Sequence, residues 1–300
     1  MAPLPVIDPH FHLWDLESNV YPWLMQRPLP ASVAGDVGPI AHSYRLKDYR
    51  AESARWQIIA AIHVDAGFDP ADPIAETHWL QGIAEAEHFP QGIVAAAQLD
   101  HPAIAEVLAA QARFPNVRGI RHIINWHRDP AKTYVQRANL LTDPLWNAGF
   151  AQLRDYSLSF DLQLYPSQMA EAANLAARHP ETAIILNHAG MPVDRDEDGL
   201  AQWRGGMKQL AAQPNVSVKI SGLGMVDWHW TTETLRPFVL DTIVIFGPRR
   251  CMFASNFPVD SLYSDFDTLF DAFDTIVADF TDAERRALFA ENARRIYRLP

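Results

Sequence analysis

Val6-Ile7-Asp8-Pro9-His10-Phe11-His12-Leu13 is the stretch that decides how this chain folds. It is a short, mostly apolar run with two histidines two residues apart. Side chains alternate across a strand, so His10 and His12 share one side while Ile7 and Phe11 share the other. Two imidazoles side by side in such a strand are hard to explain as packing, because each carries a polar nitrogen that must be satisfied. Neutral imidazole is a common metal ligand, and this spacing suits two ligands on one ion.

Seven further runs of the same kind follow, at residues 58–64, 92–100, 117–124, 158–165, 183–188, 216–221 and 251–256. Each is short, rich in Val, Ile, Leu or Ala, and bounded by Gly, Pro, Asn or Asp. Segments with apolar residues at three- and four-residue intervals lie between them, at 73–88, 103–114, 144–156, 167–179, 200–212, 233–246 and 265–277. Asp72, Asp143 and Ser167 read as their caps. The first connection differs: residues 14–45 are irregular and rich in Pro, Trp and Gly, and precede a short helix at 46–55. A loop of that length is usually a lid or a pocket wall. A last helix, 282–297, is left over.

Strands alternating with helices require a parallel sheet. Eight units in 300 residues fit a closed (β/α)8 TIM barrel, taken as one domain over 1–300, better than an open doubly wound sheet. Neither a Gly-x-Gly-x-x-Gly turn nor a Gly-Lys-Ser/Thr loop is present, so dinucleotide and Walker-type phosphate binding lack support.

Composition narrows the class further. A chain 48% hydrophobic and 20% charged is globular rather than disordered. A net charge of −11 repels phosphate backbones and anionic lipid, which argues against nucleic-acid or membrane partners. Cys251, the single cysteine, can form no intrachain disulfide. With no leader pattern at the start, a soluble cytoplasmic protein is expected.

In a barrel, chemistry collects at the C-terminal ends of the strands. His188 closes the sixth run, in Asn187-His188-Ala189-Gly190. Arg118, Arg121 and His122 stand on the fourth, and a guanidinium there can hold a carboxylate or polarise a carbonyl. His63, Asp100 and Tyr165 close the second, third and fifth. Lys219, on the seventh, is unusual for a barrel interior and reads as pointing outward to a helix carboxylate. Trp14, Tyr21, Trp23, Trp126, Trp228 and Trp230 fall near strand ends, where aromatic walls suit a ring-shaped substrate; for each one alone, packing is the better reading. His127, His229 and the acidic run 194–198 read as solvated loop residues.

Together, Asp8-Pro9-His10-Phe11-His12-Leu13-Trp14, Tyr21-Pro22-Trp23, Arg118-Gly119-Ile120-Arg121-His122, Asn187-His188-Ala189-Gly190-Met191-Pro192, Lys219-Ile220-Ser221-Gly222-Leu223 and Phe253-Ala254-Ser255-Asn256-Phe257-Pro258-Val259-Asp260 resemble the amidohydrolase-related family. The likeness is to its branch of sugar-lactone hydrolases, with 2-pyrone-4,6-dicarboxylate lactonase a more distant cousin. It implies a TIM barrel and opening of a lactone by an activated water. It also implies His10, His12 and His188 as ligands of a divalent metal, zinc by donor type, which some relatives do without. Arg121, His122, Asp100 and Tyr165 are then the substrate-facing candidates. The partner implied is a small-molecule lactone, and a homo-oligomer is compatible.

One position departs. The family's eighth-strand motif, Gly-Ser-Asp-Trp-Pro, supplies an aspartate base, but here the run is Ser255-Asn256-Phe257-Pro258. An amide takes no proton at neutral pH. Either Asp260 reaches back as the base, or His188 or Asp100 takes the proton while Asn256 donates hydrogen bonds, or the activity is lost. His188, Asn256 and Asp260 are therefore the catalytic candidates. Two other outcomes remain open: a decarboxylase on the same barrel, or a binding protein that kept only the fold.

Overall fold

The computed structural model describes residues 4–300; the reading of the first three residues lies outside them. The strands are β1 (Pro5–Phe11), β2 (Gln57–Val64), β3 (Gly92–Ala96), β4 (Val117–Ile123), β5 (Ser159–Gln163), β6 (Ile184–Leu186), β7 (Val216–Ile220) and β8 (Cys251–Phe253). They pair in sequence order, parallel throughout. The ends are stitched just past β8: Asn256 N–H donates to His10 O and His12 N–H to Phe257 O, both at 2.7 Å. This is the expected (β/α)8 TIM barrel.

The longer helices that follow the strands are α1 (Ala75–Glu87), α2 (Ile104–Gln111), α3 (Pro144–Ala151), α4 (Met169–Arg178), α5 (Glu197–Ala211), α6 (Thr232–Phe246) and α7 (Phe266–Ile276). Asp143 caps α3 as expected, its carboxylate accepting from Leu145 and Trp146 N–H with Pro144 at the first helical position. Asp72 instead shapes the turn before α1. Ser167 caps nothing; the backbone N–H of Tyr165 is taken by Gln168.

Two apolar layers hold the barrel. The larger lies between strands and helices, and the smaller fills the interior below the site. Ile7, Ile62, Val94, Ile185 and Met252 meet Ala293, Ile296 and Tyr297 there. The leftover C-terminal helix is thus a plug. Ile7 accordingly shares the interior with His10, against the strict alternation expected. The register slips between Asp8 and Phe11, where Asp8 turns back to accept His10 N–H. That irregularity around Pro9 leaves His10 and His12 in phase with each other but not with Ile7.

Candidate active site

His10, His12 and His188 converge. Their ring centroids lie 5.0 Å apart for His10–His12 and 4.6 Å for His10–His188, and all three are buried. His12 is anchored through Nδ1 to Val64 O at 2.7 Å, and His188 through Nδ1 to Ser221 Oγ at 3.0 Å. Each is held well below the usual histidine range by burial first. For His12 and His188 the next cause is the nearby Arg121, and for His10 it is Lys219.

Asp260 does reach back. From the turn after Pro258 its Oδ1 accepts Asn256 Nδ2–H at 3.0 Å, and its Oδ2 accepts Gly222 N–H at 3.2 Å. Gly222 adopts φ +61°, and a Cβ there would sit 2.5 Å from His188 Nδ1. Only glycine allows that approach, and it makes Asp260 and His188 neighbours across one backbone turn. Burial raises the Asp260 carboxyl to about 7, against the two hydrogen bonds that lower it. A buried carboxyl that changes charge near neutrality is the property a general base needs.

Arg121 faces the interior, with Nε 2.7 Å from Asp65 Oδ2 and Nη1 3.1 Å from Gln163 Oε1, and with Nη2 on Asp65 O. A cleft of about 380 Å³ reaches it from the rim, past Phe68, His101 and Tyr134. A roomier cleft, about 570 Å³, opens at the other end beside Pro5, Arg55 and Asp274. Barrels place no chemistry there, and its Arg55 and Arg285 are paired with Asp267, Asp271 and Asp274.

Several candidates lie elsewhere. His122 alternates with Arg121 and so points to the helices, where its Nδ1 accepts from Trp146 Nε1–H and Leu99 N–H. Asp100 sits four residues past the end of β3 and pairs with Arg137, which also holds Asp143. Tyr165 is buried in the rim, its hydroxyl on Lys132 O. His63 lies outside the barrel wall against Phe11. Lys219 points inward, not outward, 2.5 Å from Asp161 with both side chains fully buried. His127 is no solvated residue either: with Lys132 it grips Asp194, tying two rim loops together.

The long first loop is a cover. Trp14 and Tyr44 form an antiparallel bridge, Trp14 and Tyr21 are fully buried, and Tyr263 OH donates to Ala34 O. Of the aromatic residues singled out, only Trp228 is largely exposed, stacked on Tyr263.

Asp65 and Asp161 are polar elements that motif reading missed. Asp161 was detectable: in Ser159-Phe160-Asp161-Leu162-Gln163 it is a carboxylate inside an apolar strand buried on both faces, and so in need of a partner. Asp65 follows β2, where alternation no longer applies.

The histidines do not all fit a tightly held metal. His12 and His188 have the anchored Nδ1 typical of ligating imidazoles, which frees Nε2 for an ion. His10 instead turns Nδ1 to the Lys219 ammonium at 3.4 Å, and the Asn256 amide is engaged by Asp260. Among the described residues, no three His, Cys, Asp or Glu side chains form a ready cation site. Dialysis against a chelator is therefore expected to remove any zinc without unfolding the barrel. Circular dichroism and Tm before and after check this; loss of the folded state would contradict it.

The amidohydrolase family model matches residues 7–299. An uncharacterized protein of Sinorhizobium fredii, y4mH, is 46% identical over the whole of both chains. An L-fucono-1,5-lactonase of Burkholderia multivorans is 30% identical over 98% of this chain and 96% of its own. A solved amidohydrolase from Burkholderia multivorans with bound zinc superposes with a TM-score of 0.82 at 27% identity, covering 98% of this chain and 99% of its own. Among the described residues no helix is long and apolar enough to cross a membrane. With residues 7–299 matched by the family model and a lactonase relative 30% identical over nearly its whole length, this chain belongs to the amidohydrolase family.

Proposed function

We propose that this hydrolase opens a small lactone derived from a sugar acid or from aromatic catabolism. The observation that carries the reading is Asp260, a buried carboxyl turned back onto Asn256 and Gly222 next to His188, where the turn after β8 offers only an amide at Asn256. The lactonase relative supports the substrate class.

In this reading Asp260 accepts a proton from water as the water oxygen bonds to the ester carbonyl carbon. Asn256 and Gly222 N–H hold the carboxylate in place. Arg121 and the imidazoles face the charge that builds on the carbonyl oxygen, in a buried site where such groups act strongly. The ring C–O bond then breaks, and the proton on Asp260 passes to the departing ring oxygen.

The test is a panel of sugar-acid and pyrone lactones followed with a pH indicator. Release of acid without carbon dioxide is expected. Carbon dioxide release would point to a decarboxylase, and binding without turnover to a non-catalytic protein.

A further inference from the structure

We propose that Lys219 is a positioning residue that holds His10 in the tautomer with its proton on Nε2, so that His10 offers the barrel mouth a hydrogen-bond donor and withholds a lone pair from cations.

Lys219 lies on β7, fully buried, with three groups around its ammonium. Asp161 Oδ1 is 2.5 Å away, His10 Nδ1 is 3.4 Å away, and the Tyr297 ring faces it at 5.1 Å. Asp161 is itself held by the Tyr297 hydroxyl at 2.9 and 3.0 Å and by Asn187 Nδ2 at 3.0 Å. This network joins β5, β6 and β7 to the C-terminal plug, so the ammonium has a fixed place.

An ammonium is a donor only. Paired with a buried carboxylate at 2.5 Å it keeps its charge, and the nitrogen it faces must accept. The Nδ1 of His10 is thereby the lone-pair nitrogen, and the ring proton sits on Nε2. Nε2 is buried and has no partner among the described residues, which is how a donor reserved for a ligand looks.

His12 is the contrast. Its Nδ1 faces Val64 O, an acceptor, so it carries the proton there and exposes a lone pair at Nε2. Two histidines two residues apart are thus set to opposite tautomers by their neighbours. Placing a cation on His10 Nε2 would drive the proton to Nδ1, against the ammonium. On the lactonase reading, and resting on it, the same Nε2–H meets the carbonyl oxygen of the substrate.

The test uses chelator-treated protein and zinc alone. In ¹⁵N-histidine spectra of the wild type, His10 is expected to be protonated at Nε2 and His12 at Nδ1. Lys219→Met leaves Asp161 a buried, unpaired charge, so Lys219→Met/Asp161→Asn is made beside it to keep a folded barrel. In that double variant, zinc affinity by equilibrium dialysis is expected to rise by about 10- to 100-fold, the range by which ligand neighbours tune metal sites. A wild-type His10 protonated at Nδ1 would overturn the proposal. So would equal zinc affinity in the wild type and a folded double variant. If neither variant folds, the wild-type spectrum decides alone. Neither readout involves lactone turnover, so this inference and the proposed function fail separately.

Discussion

Asp260→Asn is expected to lower turnover by about 10²–10⁴, the usual worth of general-base assistance, while leaving the barrel folded. The amide can accept from either Asn256 or Gly222 but not from both, so one of the two bonds becomes a donor–donor contact. That local cost is small beside the catalytic effect. In the wild type, kcat/KM should rise with pH through about 7, because burial lifts Asp260 to that value and only its ionised form takes a proton. The variant should lose both the rate and this rise. The measurement is a pH–rate profile of both proteins on a lactone that the wild type opens, with circular dichroism to establish folding. Full activity in Asp260→Asn would remove Asp260 from the mechanism and leave His188 as the base. Asp100 is no longer a contender, since it is spent on Arg137.

What the sequence made legible is what short-range rules govern. Apolar runs and their Gly, Pro and Asp boundaries mark all eight strands, although β1, β5 and β6 end two residues, β8 three and β3 four residues earlier than the apolar pattern suggests. The site histidines were legible because a motif and a barrel position agree. Alternation also put Arg121 and His122 on opposite faces, but it does not say which face is the interior. Ile7 shows the opposite failure, since a slip around Pro9 shifts phase without leaving a mark in the apolar pattern. Long-range partners were not legible. Lys219 reads as outward because a buried lysine needs a carboxylate, and Asp161 lies 58 residues away on another strand. The grip of His127 on Asp194 spans 67 residues of chain, which no local pattern encodes.

Below about pH 6.5 the chelator-treated protein is expected to lose stability steeply. His10, His12 and His188 are held well below that ordinary value, and His63 is pushed to about 3, in each case chiefly by burial. A group whose folded-state pKa is depressed binds its proton in the unfolded chain first, so acid favours unfolding. Two carboxyls act the other way: burial raises Glu76 to about 8 and Asp260 to about 7. These bind protons in the folded state first and gain stability as pH falls. Among these six groups, four histidines less two carboxyls leave a net of two protons between the ordinary values of histidine, 6.5, and glutamate, 4.5; the lowered His122 and His179 and the raised Asp8 and Glu52 oppose one another in sign. At about 1.4 kcal/mol per proton per pH unit, that is roughly 3 kcal/mol per unit, a large share of a domain's stability of about 5–15 kcal/mol. Urea unfolding at half-unit steps from pH 7 to 4.5 gives the slope. His63→Phe separates the contributions, because His63 packs on Phe11, its Nδ1 has no partner among the described residues, and it gives up only a long contact with Leu13 O. Its slope should fall from two protons to about one. A wild-type profile flat from pH 6.5 to 4.5 would mean that these histidines admit protons in the folded barrel.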